Sequence, residues 1–204
     1  MSRMPVRDIF LVRHCQSEAN VGGRLEAWGD SPLTALGVYQ AGKLAEFVSG
    51  FGMVEASLLA SPLQRAAQTA ARLAEVLGCE AAHDERLREG NVGWLEGLAF
   101  TEVEEHQKTH NAKFISADLH GGESFKDVAD RMEAAFREHL GKTAGPVVVV
   151  AHGYAIRALL WRLYGEDSTD APRFKQPFGN GDVIAFKLEG AKPQAQFEHH
   201  VLAV

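Results

Sequence analysis

Hydrophobic residues fall into two registers along the chain. Continuous apolar runs rich in branched side chains occupy Ile9 to Val12, Ser57 to Ala60, Val147 to Ala151 and Val183 to Leu188, each the length of a strand. Between them apolar positions recur every three or four residues, as in a helix with one buried face. DIFLV and VVVV are apolar at successive positions rather than at every second one, so both faces of those strands must be covered. The pattern predicts a three-layer α/β/α sandwich around a mainly parallel central sheet.

Punctuation residues bound the helices. In SPLQRAAQTAARLAEVLG, Ser61 fits an N-cap, Pro62 the first helical position, Gln64 the return bond of a capping box and Gly78 the stop. A second helix begins at Leu33-Thr34, carries Leu36, Leu44, Phe47 and Val48 on its core face and closes at Gly50, and a third spans Tyr154 to Tyr164. The polar stretch Thr101 to Gly122 reads as a short cap segment, about residues 100–122, over one end of the sheet. An amphipathic helix from Phe125 to Leu140 follows it, and QAQFEHHVL reads as a terminal edge strand. No linker composition interrupts the chain, so residues 1–204 are expected to form a single domain.

Composition narrows the function. The fractions of 46% hydrophobic and 24% charged residues suit a globular domain, and a net charge of -6 argues against a nucleic-acid partner. Any anion site must therefore be local. No apolar window reaches the eighteen or more residues of a membrane span, and MSRMPVRDIF lacks the apolar core of a secretory leader. Cys15 and Cys79 are too few for a disulfide framework, so a reducing cytoplasm is the expected location. A spare edge strand or apolar helix face leaves room for a homodimer.

Candidate chemistry gathers at strand ends. Arg13-His14 follows the first strand, Ser61 to Arg65 the second and His152-Gly153 the VVVVA strand. In open α/β sheets ligands bind at the carboxyl edge, where helix N-termini present free amides. Arg65 falls in the first turn of its helix, where the macrodipole disfavours a cation by up to about 1 kcal/mol. Its side chain leans back toward the N-terminus and so toward Arg13. Two arginines and two histidines at three strand ends specify an anion site, and phosphate fits best.

These residues resemble the histidine phosphatase superfamily, also called the phosphoglycerate mutase-like family. Its Arg-His-Gly signature stands here as Arg13-His14-Cys15-Gln16-Ser17-Glu18-Ala19-Asn20. The likeness continues through Asp30 to Gly42, Ser61 to Ala70, Leu87 to Leu98, Gly121 to Ser124 and Ala151 to Gly153, in family order. The resemblance implies phosphomonoester hydrolysis through a phosphohistidine on a small phosphorylated metabolite. His14 would be the nucleophile, Arg13, Arg65 and His152 the phosphoryl clamp, and Glu89 the proton donor. Ser17, Asn20 and Gly153 would complete the substrate pocket, and no cofactor or metal is implied. Glu85, Glu96 and Glu123 are the neighbouring alternatives to Glu89.

Cys15 stands where the family usually has glycine, which would strain the loop if that position needed positive φ. Family mutases follow Gly-Leu-x-Gly-Leu with Asn-Lys and carry an Arg-Arg pair in the cap. This chain has Ala99-Phe100 there and no Arg-Arg pair. With Trp28 and Phe100 expected at the pocket rim, a phosphatase is favoured over a 2,3-bisphosphoglycerate-dependent phosphoglycerate mutase, a protein phosphatase or a phosphate-binding module. His106 and His110 have the helical spacing of a zinc pair, but Gln107 replaces the glutamate of HExxH and the surroundings read as a solvated face.

Overall fold

The computed structural model describes residues 6–109, 121–165, 178–190 and 192–202. Its strands are β1 (Val6–Arg13), β2 (Ser57–Ala60), β3 (Ala81–His83), β4 (Val147–Ala151), β5 (Val183–Glu189) and β6 (Lys192–His200). They form one sheet in the order β3-β2-β4-β1-β5-β6. The first four members run parallel, whereas β5 and β6 add antiparallel. The helices are α1 (Glu18–Val21), α2 (Ala35–Ser49), α3 (Gln64–Leu77), α4 (Phe100–Thr109), α5 (Phe125–Lys142) and α6 (Gly153–Tyr164).

The continuous apolar strands have the predicted cause. Ile9 and Leu11 of β1 join a core with Val128, Met132, Phe136, Ile156 and Leu159 of α5 and α6. Phe10 and Val12 face the other way, into a core with Leu44 and Val48 of α2 and Leu73 of α3. β4 divides likewise, Val147 and Val149 to one side and Val148 and Val150 to the other. Two helical layers therefore sandwich the sheet.

Two expectations about helices need correction. Ser61 is not the cap of α3: the chain stays extended through Leu63, and Gln64 N donates to Asp30 Oδ1 at 2.6 Å. A carboxylate from a distant loop caps the helix, and Ser61 is free for other work. Leu36 is 45% exposed, although α2 starts at Thr34 as expected, with Gly37 N donating to Thr34 Oγ1 at 2.9 Å. The buried face is set by Gly37, where an added Cβ would lie 1.9 Å from the Gln16 carbonyl oxygen. At 3.6 residues per turn that contact rotates Leu36 about 100° away from the core.

The short exposed strand β3 carries no apolar run and was not anticipated. Residues 110–120 of the expected cap, with His110, lie outside the described residues. Registry then positions the site: β1 pairs Arg13 with Ala151, and β2 pairs Ala60 with Val150. Arg13, Ser61 and His152 thus leave the sheet side by side at its carboxyl edge.

Candidate active site

His14 is 4% exposed, and its Nδ1 lies 2.8 Å from the Cys15 carbonyl oxygen. A carbonyl can only accept, so Nδ1 carries the proton and Nε2 keeps its lone pair. Burial first, then the charges of Arg65 and Arg13, hold the His14 pKa well below the ordinary histidine value. The ring is therefore neutral at physiological pH, as a nucleophile must be.

His152 is wholly buried, its ring centroid 5.1 Å from that of His14. Its Nε2 meets Ser61 Oγ at 2.8 Å. Ser61 Oγ accepts from Leu63 N at 3.4 Å, and its own proton has no acceptor other than Nε2 among the described residues, which assigns the proton to that bond. Nδ1 then carries the other proton, and this buried nitrogen has no hydrogen-bond partner among the described residues. Burial, then His14, Arg65 and Arg13, lower the His152 pKa too. The serine expected as a helix cap instead sets the tautomer of a histidine.

Both guanidiniums are anchored. Arg13 Nη1 donates to the Phe178 carbonyl, while its buried Nε has no partner among the described residues. Arg65 Nη1 donates to Gly29 O at 2.7 Å and Glu26 Oε1 at 3.1 Å, and Nη2 to Ala27 O at 2.8 Å. Burial lowers both pKa values and carboxylates oppose it, Glu89 foremost at Arg13 and Glu26 at Arg65. Arginine nevertheless stays charged. Gly153, the first residue of α6, packs directly against Arg13: a Cβ added there would lie 3.4 Å from Arg13 Nε, in ordinary contact.

Ser17 and Asn20 form a unit. Asn20 Oδ1 accepts from Ser17 N at 3.0 Å, Ser17 Oγ at 3.1 Å and Asn180 Nδ2 at 2.9 Å. With its oxygen occupied, Asn20 has its Nδ2 left to offer a ligand. Ser17, fully buried, acts on Asn20 rather than facing solvent.

Glu89 lies at the start of α6. Its Oε1 accepts from Gly90 N at 3.0 Å and Ala155 N at 2.9 Å, and its Oε2 from Tyr154 N at 3.1 Å. The three alternative acids are committed elsewhere. Glu85 pairs with Arg88. Glu96 accepts from the amides of Ala27, Trp28 and Gly29, and Glu123 pairs with Arg131 at 2.6 Å. Arg131 also donates to the carbonyls of Arg86, Arg88 and Glu89, pinning the segment that carries Glu89. Trp28, expected at the rim, serves that segment as well: its Nε1 donates to Glu89 O at 2.8 Å and Arg88 stacks on its ring at 4.3 Å.

Arg13, Asn20 and Glu89 line a cavity of about 170 Å³, walled further by Arg24, Glu26 and Phe100. Larger hollows of about 910 and 290 Å³ lie elsewhere, among Phe51, Lys187 and Phe197 and around Phe47 and Leu202, away from these groups. Their size does not outweigh the Arg13, Asn20 and Glu89 side chains that line the small one. Cys15 does not strain the loop, because Glu55 is the only non-glycine residue with positive φ among those described. Its side chain enters the α2–α3 core, and burial pushes the thiol up to about 12. Among the described residues no group of three His, Cys, Asp or Glu could hold a metal ion, and His106 stacks edge-on against Trp94.

Two contributors had escaped the sequence. Asn180 Nδ2 donates to His14 O at 3.1 Å as well as to Asn20. Thr69 Oγ1 accepts from Cys15 N at 3.1 Å and donates to Arg65 O at 2.7 Å, joining the histidine loop to the arginine helix.

Guanidiniums and neutral imidazoles gathered at the carboxyl edge of an α/β/α sandwich define an anion-binding α/β protein. More narrowly, the chain belongs to the histidine phosphatase superfamily, whose branch 1 model matches residues 9–198. The probable phosphoglycerate mutase GpmB of Proteus mirabilis is 35% identical over 163 residues, 77% of this chain and 74% of that protein. The structure of a mycobacterial glucosyl-3-phosphoglycerate phosphatase matches with a TM-score of 0.77 and 29% identity, over 92% of this chain and 93% of its own. Mycobacterial hydrolase 1 matches with a TM-score of 0.81 and 28% identity, over 97% and 98%.

Proposed function

We propose that the protein is a metal-independent phosphomonoester hydrolase that forms a phosphohistidine on His14 and acts on a small phosphorylated metabolite. The observation that carries this reading is the 2.8 Å bond between His14 Nδ1 and the Cys15 carbonyl, which leaves the Nε2 lone pair free in a buried cationic site. That lone pair attacks phosphorus as the ester P–O bond breaks, and the departing oxygen takes a proton from Glu89. Oε1 of Glu89 already accepts two amides whereas Oε2 accepts one, so Oε2 is the oxygen with a lone pair left for that proton. Water then attacks the phosphohistidine, giving its proton back to Glu89. The N–P bond breaks, its electron pair returns to Nε2, and phosphate leaves.

Arg13, Arg65 and the Nδ1–H of His152 hold the equatorial oxygens, the role often filled by a magnesium ion. Asn20 Nδ2 and the first-turn amide of Gly153 add donors. The mutase reading draws on the name of the Proteus relative. Hydrolysis is favoured because Phe100 walls the cavity where the resembled mutases carry polar side chains that hold glycerate.

The test is phosphate release from a panel of phosphomonoesters in EDTA by the wild type and His14→Ala, with 3-phosphoglycerate isomerisation followed in parallel. Release by the wild type and none by the variant is the expected result. Release that survives in His14→Ala, or isomerisation without release, overturns the proposal.

A further inference from the structure

The cavity contains a carboxylate that phosphoryl transfer does not require. Glu26 Oε1 accepts from Arg65 Nη1 at 3.1 Å and from Ser31 N at 2.9 Å. Oε2 has no hydrogen-bond partner among the described residues, although the side chain is only 19% exposed and lines the cavity with Leu25, Phe100 and Tyr154.

Charge accounting shows what this oxygen does to a ligand. A phosphoryl dianion brings two negative charges, and Arg13 and Arg65 bring two positive ones. Glu26 cancels one of these, and His14 and His152 are neutral. Of the further charges that act on Arg13, the positive Arg157 is opposed by Glu89 and Asp182, so the buried part of the site holds no positive charge in surplus for a second anion. Arg24, the remaining guanidinium at the cavity, is exposed and donates to Gly97 O at 2.9 Å, and exposed charges are screened by water.

We infer that Glu26 is a specificity-determining residue: its free carboxylate oxygen accepts from hydroxyl groups of the leaving alcohol and repels leaving groups that carry a carboxylate or a second phosphate. The preferred substrates are then phosphate esters of uncharged polyols or sugars. This rests on the hydrolase reading above. A like charge at the edge of a partly buried site shifts relative binding on the order of ten- to a hundredfold.

Glycerol 3-phosphate and 3-phosphoglycerate are matched probes, differing only in a hydroxymethyl group against a carboxylate. Their dissociation constants are measured by calorimetry with His14→Ala and with His14→Ala/Glu26→Gln, neither of which can turn over. Weakened support of Arg65 affects the shared phosphoryl group equally, so the ratio of the two constants isolates the distal group. Glycerol 3-phosphate is expected to bind about tenfold or more tighter to His14→Ala, with most of that preference gone when Glu26→Gln is added. Equal or tighter binding of 3-phosphoglycerate by His14→Ala, a preference unchanged by Glu26→Gln, or binding of neither probe at millimolar concentration overturns the inference. Failure of the hydrolase reading shows separately, as absent phosphate release by the wild type.

Discussion

Glu89 is fastened to Ala155: its Oε1 accepts the Ala155 amide at 2.9 Å, across 66 residues of chain. Ala155 lies in the first turn of α6, whose N-cap is His152. The proposed acid and one arm of the proposed clamp are thereby fixed to one helix end, and the Tyr154 and Ala155 amides of that turn are satisfied by a side chain of the site itself. Arg131 holds the backbone of Glu89 from the opposite side, at 2.8 Å.

Glu89→Gln keeps an acceptor for Gly90 N and Ala155 N, leaves Tyr154 N facing an amide donor, and removes the proton. With an alkyl phosphate, kcat is expected to fall by about 10²–10⁴. With p-nitrophenyl phosphate, whose leaving group needs no proton, the first step is largely spared while attack by water is not. Rapid-quench kinetics should then show a burst of p-nitrophenol and trapped phosphoenzyme. Equal losses on both substrates, with no burst, would remove Glu89 from the acid role.

The buried histidines predict a pH dependence of stability with a definite sign. Their folded pKa values lie well below the ordinary histidine value, so below about pH 6.5 the unfolded chain binds protons that the folded one refuses. Their contribution is complete above pH 6.5 and is lost as pH falls from there toward the folded pKa values. Together His14 and His152 contribute a slope of up to about 2.7 kcal/mol per pH unit. His139, lowered by burial and by Lys142, has the same sign. Denaturant melts at pH 5.5, 6.0 and 6.5 should show a shallower slope in His152→Asn by about half of that pair's share, and an unchanged slope would mean that His152 is charged in the fold.

What was legible in the sequence was whatever depends on neighbours along the chain. The apolar runs of β1 and β4 fix their own burial on two faces, and with it the meeting of Arg13 and His152 at one edge. What escaped depends on partners far away. Asp30 caps a helix that starts at Gln64, so the local Ser61-Pro62 signal misplaced the cap. Asn180 sits in FGNGD, which reads as a plain turn, and its partner His14 O is 166 residues distant. Leu36 looked like core because nothing local revealed that Gly37 sets the contact face. Glu89 was separated from Glu85, Glu96 and Glu123 by the family resemblance, and the structure adds a physical reason, since of the four only Glu89 lines the cavity with Arg13 and Asn20.

Asn180 joins the His14 backbone to Asn20, at 3.1 and 2.9 Å. Removing it in Asn180→Ala leaves His14 O with Gly181 N at 3.3 Å and leaves Asn20 with Ser17. A loss of about tenfold in kcat/KM is expected, one hydrogen bond's worth. Asn180→Asp should lose more, because it sets an anion against two acceptor oxygens beside the phosphoryl pocket. Steady-state kinetics that rank the aspartate variant above the alanine one would reduce Asn180 to a packing role.

Cys15 sits next to the proposed nucleophile yet belongs chemically to the core. Its backbone nitrogen donates to Thr69 Oγ1, its side chain is fully buried, and the thiol is pushed up to about 12. Only the thiolate reacts, so at pH 8 the native protein should take up one equivalent of iodoacetamide, at the partly exposed Cys79, and two equivalents in guanidinium. Cys15→Gly should cost about 1–3 kcal/mol by opening a cavity and loosening the loop, while kcat stays within about threefold because the side chain points away from the anion site. Rapid labelling of Cys15 in the folded protein, or loss of turnover in the stable Gly variant, would place the thiol in the pocket and give the cysteine a part in the chemistry.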